Sequence, residues 1–126
     1  MPGRPRMTFT GTVLDAADPP ALGAFYRDLL GWTISASDPT WVKLVPPGGG
    51  SGLAIQLEPL YRPPTWPARP DAQQMMSHLD IEVEDLAAAG AHARALGATL
   101  AEFQPQEHVR VWLDPAGHPF CLWVAA

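Results

Sequence analysis

Asp18-Pro-Pro-Ala-Leu-Gly-Ala-Phe-Tyr-Arg-Asp-Leu-Leu-Gly-Trp32 decides how this chain folds, because its punctuation returns at Asp85, 67 positions further on. Asp18 reads as a helix N-cap, and Pro19 and Pro20 suit a first turn whose N–H groups have no intrahelical partner. Leu22, Phe25, Tyr26, Leu29 and Leu30 recur at helical spacing. Gly31 can adopt positive φ and so ends the helix. In the second copy Asp85 is the N-cap, Leu86 to Leu96 an Ala-rich helix, and Gly97 its stop.

Strands flank both helices. Residues 8–17 precede the first, and Trp32 to Ser35, Trp41 to Val45 and Leu53 to Leu57 follow it, with a turn at Ser37-Asp38-Pro39 and a Gly-rich loop at 46–52. Met75 to Val83 precede the second helix, and Thr99 to Phe103, Val109 to Leu113 and Phe120 to Val124 follow it, the last two joined through an Asp114-Pro115-Ala116-Gly117 turn. Both halves therefore read β-α-β-β-β, and a tandem repeat outweighs any single propensity. The expected fold is α+β: one domain over 1–126, with module one at about 8–57, a Pro-rich connector at about 58–74 and module two at about 75–125.

Composition narrows the partners. With 47% hydrophobic and 17% charged residues the chain is globular. Its net charge of -5 argues against nucleic acid or an anionic membrane surface, both of which need a basic patch. No apolar run is long enough to span a membrane. The basic Met1-Pro2-Gly3-Arg4-Pro5-Arg6 is followed by no apolar stretch, so it reads as a frayed tail and not a secretory signal. A single Cys121 forms no intrachain disulfide and fits a reducing, cytoplasmic location.

Strand alternation assigns faces. Leu79, Ile81 and Val83 should pack on the helix, which turns His78, Asp80 and Glu82 the other way. Likewise Leu53, Ile55 and Leu57 leave Gln56 opposite, and Phe120, Leu122 and Val124 leave Cys121 and Trp123 opposite. By the same rule Val109, Val111 and Leu113 are core, with Arg110 and Trp112 on the second face beside Trp41 and Lys43. Aromatics mixed with polar groups suggest the lining of a pocket. His78 and Asp80 lie about 6.5–7 Å apart along an extended strand, too far for a dyad.

The segments Asp18 to Trp32, His78-Leu-Asp-Ile-Glu-Val-Glu-Asp-Leu86 and Asp114-Pro-Ala-Gly-His-Pro-Phe-Cys-Leu-Trp123 resemble the vicinal oxygen chelate superfamily, which includes glyoxalases, bleomycin-resistance proteins and dioxygenases. That resemblance implies curled sheets around a cup-shaped pocket, with helices on the outer face. It also implies metal ligands on the first and last strands of each module in the metal-dependent members. Here His78 holds one such position, its module-one counterpart is Gly11, and Gln56 and Cys121 stand where Glu is usual. No cofactor is therefore expected, and a divalent metal is the alternative.

Two readings follow. The first is a cytoplasmic, homodimeric binder of an aromatic or apolar small molecule, held by Gln56, Asp80, Arg110, Trp112 and Cys121, with Tyr61 and Trp66 of the connector folding over the cup mouth. The second is a lyase, isomerase or dioxygenase, metal-dependent or metal-free, with His78 as ligand or acid–base.

Overall fold

The computed structural model describes residues 3–126; Met1 and Pro2 of the tail read as frayed lie outside the described residues. Module one runs β1 (Gly11–Ala16), α1 (Pro19–Leu30), β2 (Thr33–Asp38), β3 (Trp41–Val45) and β4 (Gly52–Leu57). Module two runs β5 (Leu79–Glu82), α2 (Leu86–Ala95), β6 (Thr99–Leu100), β7 (Val109–Leu113) and β8 (Pro119–Trp123). The strand orders are β1-β4-β3-β2 and β5-β8-β7-β6, and in each sheet the first strand runs parallel to the last. The repeat thus sets the topology as well as the element order.

The caps behave as their chemistry requires. Asp18 accepts from the Ala21 N–H, Asp85 accepts from Ala87 and Ala88, and Gly31 turns the chain at φ 70°. The outermost strand residues are shorter than their β-propensity suggests. Residues 8–10 and 75–78 lie outside the strands, and Met76 interrupts the second of these segments with a positive φ of 63°, whereas β2 continues through Asp38 across an irregularity between Ile34 and Ala36.

One apolar core joins the two modules on their helix side. Leu22, Phe25 and Tyr26 of α1 pack with Val42, Leu44, Leu53 and Ile55 of their own sheet, and with Phe120 and Leu122 of the other. The Phe25 and Phe120 rings meet edge-on at 6.0 Å. Gly23 lets α1 settle on β3, because a Cβ there would lie 2.6 Å from a Val42 methyl. With both apolar faces used in this shared core, the opposite faces of the sheets carry the polar residues.

The register of β7 corrects one expectation. Residues directly opposed in a ladder share a face. Trp112 pairs with Phe120 and Arg110 with Leu122, so both lie on the helix side; Val111 pairs with Cys121 and Val109 with Trp123, on the cup side. Trp112 is buried in the core. The physical reason is α2 itself, whose small residues leave space between helix and sheet. Gly90 faces the indole so closely that a Cβ would sit 2.8 Å from it. The Arg94 guanidinium covers the ring at 5.3 Å, and Arg110 bends back to the carbonyls of Gln106, Glu107 and Val109.

Candidate functional site

On the cup face of module two, β5 and β8 bring together His78, Asp80 and Cys121. Asp80 and Cys121 are partners in the parallel ladder, and His78 immediately precedes β5. The His78 Nε2 lies 2.9 Å from Asp80 Oδ1, so these residues do pair, contrary to the spacing argument. The strand rise separates backbones; the imidazole and carboxylate lean towards each other and close the gap. One nitrogen, oxygen or sulfur donor atom from each of the three lies within 4.8 Å of the others. Burial, the Asp80 charge and a thiol hydrogen bond to Asp80 raise the Cys121 pKa to about 11. Cys121 is therefore a neutral thiol near pH 7 and a poor nucleophile. The three residues, with Gln106, Val109, Trp123 and Val124, line a recess of about 270 Å³.

Module one presents a different cup face. The Gln56 Nε2 donates to Asp15 Oδ1 at 2.7 Å, with Trp41 opposed to Gln56 across the ladder. Parallel pairing sets Val13 against Ala54 and Asp15 against Gln56. The constant 67-residue offset thus matches Ala54 to Cys121 and Gln56 to Trp123, one cup position away from the Gln56–Cys121 equivalence assumed above. At Gly11 a Cβ would meet the Gly52 carbonyl oxygen at 2.6 Å. This position holds no ligand and, without a backbone shift, has no room for any side chain. With Gly11 bare and the Gln56 amide engaged by Asp15, the residues do not fit the superfamily's two-module metal site.

The connector aromatics are anchored. The Tyr61 hydroxyl donates to the Ala116 carbonyl at 2.8 Å, and its ring lies 5.2 Å from that of His118. Burial, followed by the charges of Asp114 and Asp15, raises its pKa. Trp66 donates to the Phe103 carbonyl at 3.0 Å, with the two rings 5.9 Å apart. Tyr61 still lines a recess of about 370 Å³, together with Val13, Asp15, Leu60, Met76 and His118. Trp66 is not part of that lining. Val13, Leu60 and Met76 are 46%, 84% and 86% exposed, an apolar rim that faces water.

Sequence reasoning missed a buried polar cluster behind this recess. The Asp114 carboxylate accepts from the Tyr26 hydroxyl at 2.7 Å and from the Ala116 and His118 backbone N–H groups. The His118 Nδ1 lies 2.8 Å from Asp114, and its Nε2 lies 2.8 Å from the Asp15 carbonyl. His118, the residue after the Asp114–Gly117 turn, therefore ties module two to β1. An Asp opening an Asp-Pro-x-Gly turn is ordinarily exposed, and no local signal links it to Tyr26, 88 residues away.

Of the residues expected at one site, His78, Asp80 and Cys121 come together, Tyr61 lines a second recess, and Gln56 lines neither. Trp66 packs on Phe103, and Arg110 and Trp112 lie on the opposite side of the sheet. Among the described residues no helix is long and apolar enough to cross a membrane.

Known proteins place this geometry. A structure of a glyoxalase/bleomycin resistance protein/dioxygenase family enzyme from Burkholderia phytofirmans PsJN is similar at a TM-score of 0.70 and 18% identity, covering 95% of this chain and 100% of that one. A glyoxalase/bleomycin resistance protein from Albidiferax ferrireducens T118 is similar at 0.65 and 17% (94% and 98% covered). A glyoxalase-related enzyme from Fulvimarina pelagi is similar at 0.66 and 18% (94% and 89%). Among curated proteins there is no match. The family model of the glyoxalase-like domain matches residues 11–123, nearly the whole of both modules, and the chain belongs to that family, within the vicinal oxygen chelate superfamily.

Proposed function

We propose that this chain is a small-molecule-binding protein that takes an aromatic or apolar metabolite or drug, without the superfamily's two-module metal site. The observation that carries this reading is the recess of about 370 Å³ beneath the connector. Its volume falls in the range of ligand pockets, and its rim exposes Val13, Leu60 and Met76 to water. Such a surface is relieved by an apolar occupant. Tyr61, Asp15, Gln73 and Gln74 supply polar groups along the same wall. A homodimeric, cytoplasmic protein completes the proposal: a second copy facing the open cup would also cover apolar rim residues.

A thermal-shift screen against planar aromatic compounds tests the reading. Compounds that stabilise the protein should lose their effect in Leu60→Asp, a change at an exposed site that leaves the fold intact. Covering one aliphatic side chain contributes about 1.5–3 kcal/mol, so affinity should fall by at least about tenfold. A screen with no stabilising compound, or stabilisation indifferent to Leu60→Asp, sinks it.

The 2.9 Å approach of His78 to Asp80 favours a second reading, an isomerase, lyase or dioxygenase in which Asp80 orients His78 for acid–base work. Turnover that disappears in His78→Ala would establish it, because a pure binder has no turnover to lose.

A further inference from the structure

We propose that the outer, helix side of module two holds a second ligand site, for an organic carboxylate with an apolar body, formed by Arg94 of α2 and Arg110 of β7 around Trp112. A recess of about 440 Å³ lies there, between α2 and strands β6 and β7. It shares no residue with the recess beneath the connector or with that of His78 and Cys121. Its volume is that of a ligand pocket, but its charge is the more telling property. The chain carries a net charge of -5, yet two of its eight basic side chains line this recess and no acidic side chain does. Among the described residues no carboxylate pairs with either guanidinium.

Both cations are held in place before a ligand arrives. Arg110 Nη1 donates to the carbonyls of Gln106, Glu107 and Val109, which fixes its plane and leaves Nε and Nη2 to donate elsewhere. The Arg94 guanidinium rests over the Trp112 ring at 5.3 Å. Groups ordered in advance lose little freedom on binding, and a guanidinium fork matches a carboxylate. Trp112 Nε1 is buried without a hydrogen-bond partner, so the one polar atom the indole brings to the wall is a donor and does not repel an anion. The N-terminus of α2 is not the attraction, because Asp85 already occupies the Ala87 and Ala88 N–H groups. The rest of the lining is Leu, Ala and Gly, with no hydroxyl or amide side chain for the further oxygens of a phosphate. Leu86 and Leu100, the latter 39% exposed, offer instead a surface for an apolar body.

Titration with octanoate tests the site, followed by NMR on the Arg94 and Arg110 Nε–H signals, each assigned by its loss in Arg94→Gln or Arg110→Gln. The expected result is a saturable shift of both signals, with affinity at least about tenfold weaker in either variant. Arg94 is exposed, so Arg94→Gln stays informative even if Arg110→Gln loosens the loop it ties down. Acetate and inorganic phosphate should bind at least about tenfold more weakly than octanoate, since neither covers the leucines, and octylammonium should leave both signals unmoved. Leu60→Asp should bind octanoate as the parent does, which separates this site from the recess beneath the connector. No saturable shift, acetate or phosphate binding as tightly as octanoate, a matching response to octylammonium, or binding lost in Leu60→Asp but kept in Arg94→Gln would overturn the proposal.

Discussion

Replacing Tyr26 by Phe removes one oxygen from the centre of the molecule and tests whether the polar clasp between modules stabilises the fold. Tyr26 is fully buried, and its hydroxyl donates to Asp114, itself only 4% exposed. A hydrogen bond to a charged acceptor contributes about 1.5–3 kcal/mol. Phenylalanine leaves no orphaned donor, and Asp114 keeps its bonds from Ala116 N–H, His118 N–H and the His118 ring. The loss should therefore lie in the lower half of that range, about 2 kcal/mol. For a chain of this length each kcal/mol moves Tm by roughly 3–5 °C, giving a fall of about 6–10 °C. Urea unfolding monitored by tryptophan fluorescence should show a lower midpoint with an unchanged m value. A variant within about 0.5 kcal/mol of the parent, the range of ordinary surface changes, would refute the reasoning.

Three further outcomes follow from the same structure. Stability should fall above about pH 9, because the Cys121 thiol and the Tyr26 and Tyr61 hydroxyls all have pKa values raised by folding. The native state keeps protons that the unfolded chain releases, so the stabilisation is complete below the ordinary thiol and phenol values and is lost as pH rises through the folded ones; unfolding midpoints from pH 7 to 11 check the sign, and a rise or a flat profile contradicts it. Gly11→Ala should cost about 1–3 kcal/mol, since its methyl meets a backbone oxygen that cannot rotate away; a neutral result in thermal unfolding would show that the strand can move. Asp85→Ala should cost about 1 kcal/mol by releasing the Ala87 and Ala88 N–H groups, seen as a lower urea midpoint, whereas no change would mean that water caps α2 equally well.

Much of the architecture was legible because its signals are local. Asp18 and Asp85 cap, Gly31 stops, and Leu22, Phe25 and Tyr26 face the core as their spacing requires. The misassigned face of β7 shows where local reading stops. Val109, Val111 and Leu113 form the more apolar stripe, yet Trp112 occupies the core because α2 offers Gly90 opposite it. A glycine in the middle of the Ala-rich helix α2 was the available sign that a large residue of the sheet must fill the gap. The site divides the same way. His78, Asp80 and Cys121 share a face that alternation alone identifies, while their approach depends on side-chain reach. Asp114 and Tyr26 meet only through the packing of one module on the other, and no period of two or 3.6 residues encodes that contact.

The central claim is tested most directly by calorimetric titration of the best-stabilising aromatic compound into chelator-treated protein, alongside Leu60→Asp. Binding that survives removal of metal and weakens at least about tenfold in the variant is the predicted result. Binding that requires a divalent metal, or that ignores the loss of Leu60, would contradict a metal-independent ligand site beneath the connector.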